Sequence, residues 1–127
     1  MFDFTLITNK NIEEAIQSLE ENLKAEKFGV LWKFDIKEKL QEKGLEFDKE
    51  FKVLEVCNPV EAQRVLTENE MAGYFLPCKI VVYDSEGKTK IGMPKPTALI
   101  SLLQDEKMKQ FAGDIEDRLI HCIKKSI

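Results

Sequence analysis

Phe51 to Cys57 reads as a β-strand, and the next four residues, Asn58-Pro59-Val60-Glu61, read as the start of a helix. Asn58 fits an N-cap, Pro59 the first helical position and Glu61 the N3 carboxylate, three signals that agree on one start point. The chain must therefore turn from extended to helical at a single peptide, with Cys57 at the junction. A second cysteine sits at a comparable break, Leu76-Pro77-Cys78, where an apolar run begins. Both thiols are thus expected at strand ends.

The remaining pattern alternates between the two periods. Phe2, Phe4 and Leu6 alternate with Asp3 and Thr5 as a half-buried strand does. Asn11 and Glu14 have capping-box spacing, and Ile12, Ala15, Ile16, Leu19 and Leu23 then share one helical face. From Phe28 to Asp35 the period returns to two, with Phe28, Val30, Trp32 and Phe34 expected on one side. Asp35 and Glu38 open a short charged helix that Gly44 closes. After the Val60–Asn69 helix, Cys78 to Tyr83 and Lys88 to Met93 form a hairpin around Asp84-Ser85-Glu86-Gly87. Met93-Pro94-Lys95-Pro96 stops that strand. The chain then enters a helical C-terminus with an apolar stripe of Met108, Phe111, Ala112, Ile115, Leu119, Cys122 and Ile123. This order predicts an α+β domain over residues 1–127, a largely antiparallel five-stranded sheet with helices packed mainly on one face.

Composition narrows the partners. The net charge of −4 carries no basic excess, which argues against nucleic acid and anionic membranes. No apolar run approaches the ~20 residues a membrane span needs. Met1 to Thr8 reads as a strand without a basic n-region or cleavage site, so no signal peptide is expected. Three cysteines are an odd number, spaced unlike a secreted disulfide framework, which predicts reduced thiols and a cytoplasmic location.

The candidate chemistry gathers at the two proline breaks. A helix N-terminus stabilises a thiolate, so Cys57 is expected about one unit below the ~8.5 thiol reference and the most reactive of the three. The alternative is a small apolar residue packed beneath the helix. Whether Cys57 meets Cys78 depends on topology: antiparallel strands bring both to one sheet edge, and parallel strands separate them.

The candidate ligand-binding set is Cys57, Asn58, Pro59, Val60, Glu61, Pro77 and Cys78. In it the N–H groups of Val60 and Glu61 serve as anion donors. A thiophilic metal such as zinc is a candidate cofactor with Cys57 and Cys78 as ligands and His121 as a weaker one. A closed four-ligand site is not expected, because Cys122 belongs to the apolar stripe and His121 to the polar face near Asp114 and Asp117. No glycine-rich phosphate loop is present, and Asp117 with His121 reads as a solvated helical pair. Tyr74, Phe75 and Trp32 are candidates to line an apolar pocket.

Glu55-Val56-Cys57-Asn58-Pro59, Ala62 and Leu76-Pro77-Cys78 together resemble the signature of domain-of-unknown-function family 302. Phe28-Gly29-Val30 to Asp35 and Lys43-Gly44 fit the same pattern. The resemblance implies an α+β domain similar in architecture to the TATA-binding-protein-like fold, and a homodimer. It also implies that the third and fourth strands are antiparallel neighbours, and it implies no activity. The functional readings that follow are a small binding or sensing module at the two-cysteine edge, a thiol redox protein in which Cys57 attacks and Cys78 resolves, and an interaction homodimer with inert cysteines.

Overall fold

The computed structural model describes residues 1–127. Its strands are β1 (Asp3–Thr8), β2 (Gly29–Asp35), β3 (Phe51–Cys57), β4 (Cys78–Ser85) and β5 (Lys88–Pro94). The helices are α1 (Ile12–Ala25), α2 (Ile36–Glu42), α3 (Pro59–Glu68), α4 (Pro96–Ile100) and α5 (Glu106–Ser126). The strands form one sheet in the order β1-β5-β4-β3-β2, every neighbouring pair antiparallel. The α+β class and antiparallel sheet read from the sequence are those of the fold.

Local chemistry accounts for most element ends. The Asn11 side chain accepts from the Glu14 N–H at 2.9 Å, and Glu14 Oε1 accepts from the Asn11 N–H at 3.0 Å, a complete capping box for α1. Asp35 caps α2 by accepting from the Glu38 N–H at 3.0 Å, and Gly44 follows that helix at φ +77°. The β4–β5 hairpin turns through Glu86 and Gly87, both at positive φ, as a two-residue turn matched to strand twist requires.

The core lies between the sheet and the helices. From α1 come Ala15, Ile16, Leu19 and Leu23; from α5, Met108, Ala112, Ile115, Leu119, Cys122 and Ile123. They meet Leu54 and Val56 of β3, Ile80 and Val82 of β4, and Ile91 and Met93 of β5. The far end of α5 is tied down by polar contacts: Lys10 Nζ donates to the Ser126 carbonyl at 3.0 Å, and Asn22 Nδ2 donates to the fully buried Ser126 hydroxyl at 3.0 Å. A lysine at the C-terminal carbonyls also complements the negative end of the helix dipole.

One expectation is corrected. The β2–β3 register shifts between Val30 and Trp32, so Val30 stays on the core side opposite Val56 while Trp32 and Phe34 turn to the other face. Trp32 is 53% exposed and stacks on Phe34 with ring centroids 5.1 Å apart, so it is neither core nor pocket wall. The helical C-terminus comprises two helices. A 3₁₀ turn at Ser101–Leu103 and left-handed Gln104 (φ 55°) separate α4 from α5, which restarts at Asp105 with its side chain accepting from the Lys107 and Met108 N–H groups.

Gly92 marks a close approach on the helix-free face. A Cβ there would lie 2.6 Å from Thr5 Oγ1, its cross-strand neighbour. Gly92→Ala is expected to lower stability by about 1–3 kcal/mol in denaturant unfolding, and Thr5→Ala in the same chain is expected to restore part of that loss. Equal losses with and without Thr5→Ala would show that the contact does not limit packing.

Candidate functional site

The β3–β4 ladder pairs Val56 with Cys78, which places Cys57 one residue beyond that pair, opposite Gly29 of β2. Antiparallel pairing thus brings both cysteines to one edge of the sheet. Strand alternation gives them opposite parity, yet at the strand end both line the same small void. Cys78 follows Val56 and Ile80 into the helix-covered side and packs against the core, whereas Cys57 shares the parity of Glu55. All three cysteines are free thiols.

Helix α3 starts as its sequence predicts. Asn58 is buried, and its Oδ1 accepts from the N–H groups of Val60 at 3.0 Å and Glu61 at 3.2 Å. The two donors assigned to an incoming anion therefore already have a partner within the protein. Glu61 is also engaged. Its Oε2 accepts from Arg118 Nη1, and its Oε1 lies beside Arg64 Nη2 in an ion pair without hydrogen-bond alignment. Arg64 further stacks over the Phe111 ring at 4.4 Å and Arg118 over Phe28 at 5.1 Å, so this carboxylate clamps α3 to α5 and to the start of β2. Pro59 and Val60 are exposed on the first turn. The space next to Cys57, Asn58, Glu61 and Cys78 measures only about 10 Å³, scarcely enough for one water.

The thiols correct the expected downward direction of the Cys57 pKa. Burial pushes the Cys57 pKa above its ordinary value of 9.0 rather than below it. Cys78 is pushed up to about 11, first by burial and then by the neighbouring Cys57. Cys122 is also pushed up to about 11, by burial and then by Glu26, against the opposing pull of Arg118 and Lys125. Helix-dipole stabilisation loses here because Asn58 already occupies the amide donors that a thiolate would use.

The other half of the predicted edge opens into real space. On the core side of Pro77 and Cys78 lies a cleft of about 580 Å³, within the usual range for small-molecule sites. The sheet supplies Cys78 at the start of β4 and Met93 and Pro94 at the end of β5. Helix α5 supplies Met108, Ala112, Ile115 and Leu119, and the 3₁₀ turn at Glu70–Tyr74 with its following segment supplies Ala72, Tyr74, Phe75 and Leu76. Phe2 and Leu99 add to the wall. Of the predicted site residues, Pro77 and Cys78 line this cleft; Cys57, Asn58 and Glu61 line only the small void; Pro59 and Val60 line neither. Tyr74 and Phe75 lie in the cleft as their composition suggested, and Trp32 does not.

Sequence reasoning missed Ala72 and Ala112. Ala112 interrupts a stripe of large residues on α5, Met108 before it and Ile115 after it, and a small residue at such a position leaves a gap in the layer. That interruption is the signal available in the sequence.

No helix is long and apolar enough to cross a membrane. No group of three or more His, Cys, Asp or Glu side chains comes together, and His121 is exposed on α5, apart from both edge cysteines. Fold and site together define a five-stranded antiparallel α+β domain with an apolar cleft where β4 begins and β5 ends. The family model described as domain of unknown function DUF302 matches residues 4–126, and the chain belongs to that family. It is similar to an uncharacterised conserved DUF302 protein from Bacillus stearothermophilus in its crystal structure. The identity is 54%, the TM-score 0.98, and the alignment covers 100% of this chain and 99% of that one. No curated protein matches. The family is one of unknown function, so activity must be argued from the cleft itself.

Two outcomes follow from the thiols and the cap. A thiol with a raised native pKa holds its proton more tightly in the folded state, so its contribution to stability is full below about 9 and is lost as pH rises towards about 11. Unfolding measured between those pH values is expected to show a shallower decline in Cys78→Ala than in the parent chain. Identical slopes would place the Cys78 thiol in an ordinary environment. Asn58→Ala is expected to cost about 1–2 kcal/mol, because it strips two N–H groups at the start of α3 of their acceptor. A smaller loss by chemical denaturation would mean that water replaces Asn58 there.

Proposed function

We propose that the protein is a small cytoplasmic ligand-binding module whose site is the cleft behind Pro77 and Cys78. The observation that carries this reading is the cleft's volume, about 580 Å³, against the about 10 Å³ left beside Asn58. Pockets of this size and apolar lining are the usual form of small-molecule sites. An open apolar cavity costs stability unless it is used. Cys78 contributes as a wall residue and a soft contact, and the Cys57-Asn58-Pro59 segment as the support that holds the β3 end and the α3 start in place. Raised thiol pKa values count against a disulfide-exchange role for Cys57 and Cys78. Three free cysteines accord with a reducing compartment.

The test is amide chemical-shift mapping with a fragment set that includes neutral, anionic and cationic members. Shifts centred on Ala72, Cys78 and Ala112 are expected. Shifts centred on Asn58 to Glu61, or none at the cleft with any fragment, would contradict the reading.

We also propose that two copies pair through the helix-free face of the sheet. That face carries two ring pairs, Trp32 with Phe34 and Phe51 with Tyr83, each with centroids 5.1 Å apart, and Ile7 half-exposed at its far side. A surface of this kind is unusual on a monomer, and a two-fold pairing covers it with a copy of itself. Sedimentation is expected to give twice the 14.7 kDa of one chain, and Trp32→Lys to shift the protein towards the single-chain mass. A single-chain mass for the parent protein at micromolar concentration would refute the pairing.

A further inference from the structure

The chemistry of the cleft wall is more specific than its volume. Of its 19 lining residues 14 are hydrophobic. The charged members are Glu55 and Lys79, which face each other as an ion pair at 3.9 Å. The wall holds no arginine, histidine, serine, threonine, asparagine or glutamine. Backbone donors are depleted as well: Pro77, Pro94 and Pro96 all line the cleft, and proline has no N–H to offer. An anion or a sugar entering here would lose its water and find almost nothing to replace it, which opposes binding strongly. The wall instead offers two methionines, Met93 and Met108, whose flexible thioethers adapt to irregular apolar shapes, and two aromatic rings, Tyr74 and Phe75.

Resting on the reading of this cleft as a ligand site, we infer that its ligand is an uncharged, largely hydrocarbon small molecule, seated between Ala112 of α5 and Cys78 of β4. Ala72 and Ala112, at 1% and 3% exposure, are the two small residues that keep the space open. The Tyr74 hydroxyl, on a residue 83% exposed, stands at the mouth beside solvent, where the one polar end of such a ligand would emerge. This departs from the anion or thiophilic metal that the two-cysteine edge suggests, because the space lies on the donor-poor side of that edge.

The experiment is titration of the full chain with the neutral dye N-phenyl-1-naphthylamine, followed by its fluorescence and by iodoacetamide alkylation of Cys78. Cys57, outside the cleft, is the internal reference. Saturable brightening is expected, with at least tenfold slower alkylation of Cys78 and unchanged alkylation of Cys57. 1-Decanol is expected to displace the dye and inorganic phosphate to leave it bound. Ala112→Phe, which fills the space, is expected to weaken dye binding at least tenfold. Ala72→Leu serves the same purpose should Ala112→Phe fail to fold, as judged by circular dichroism. Unchanged dye affinity in a folded filling variant, or displacement by phosphate, would overturn the inference. Charged fragments that shift the cleft amides while the dye does not bind would overturn the ligand class and leave the site. Failure of both would remove the site as well.

Discussion

Everything in this molecule depends on how α5 lies against the sheet. Leu119, Cys122 and Ile123, all fully buried, pack that helix onto α1 and the strands, and Lys10, Asn22 and Ser126 fasten its end. Towards its start the same stripe carries Ala112, and there the layer stops filling the space beneath it. One helix thus both closes the core and leaves the cleft. The difference is a matter of side-chain volume along a single face, since interiors packed to ordinary density do not leave gaps of this size.

The second support is the α3–α5 clamp. Glu61 meets Arg118 and Arg64, and those guanidinium groups lie over Phe28 and Phe111. Glu61 is the shortest carboxylate contact of both arginines, and the largely buried partner in each pair, so losing it would loosen the seam between the two helices. The clamp therefore fixes the position of α3 relative to α5, and through Val65 and Ile115 it sets one wall of the cleft. Glu61 looks like a ligand contact when read only as an N3 carboxylate at a helix start. In the fold it is spent on holding two helices together.

Much of the architecture was legible in the sequence because its signals are local. Asn11 with Glu14, Asp35 with Glu38 and Asn58 with Pro59 each mark a helix start through contacts within four residues, and the Glu86-Gly87 turn does the same for the hairpin. Where the signal was not local, the reading failed. The bulge after Val30 turns Trp32 away from the core, and only the register against Glu55 and Val56 reveals it. The break at Gln104 uses neither glycine nor proline, and Asp105 was its one visible mark. The candidate site divides along the same line. Asn58 was readable as a cap, but its occupation of the Val60 and Glu61 amides is what denies that helix end to an anion and leaves the Cys57 thiol raised by burial. The cleft was hardest to read, since a void belongs to many elements at once and to no segment of sequence.

The central claim is that the space between Ala112 and Cys78 is a ligand site and the Asn58 helix start is a structural cap. A crystal structure of the protein soaked with a neutral apolar fragment tests this most directly. The account predicts density for the fragment against Ala112, Met93 and Cys78, with the Asn58 Oδ1 contacts to Val60 and Glu61 intact. Density at the Asn58 helix start with an empty cleft, or a cleft closed by inward movement of the Tyr74–Pro77 segment, would contradict it.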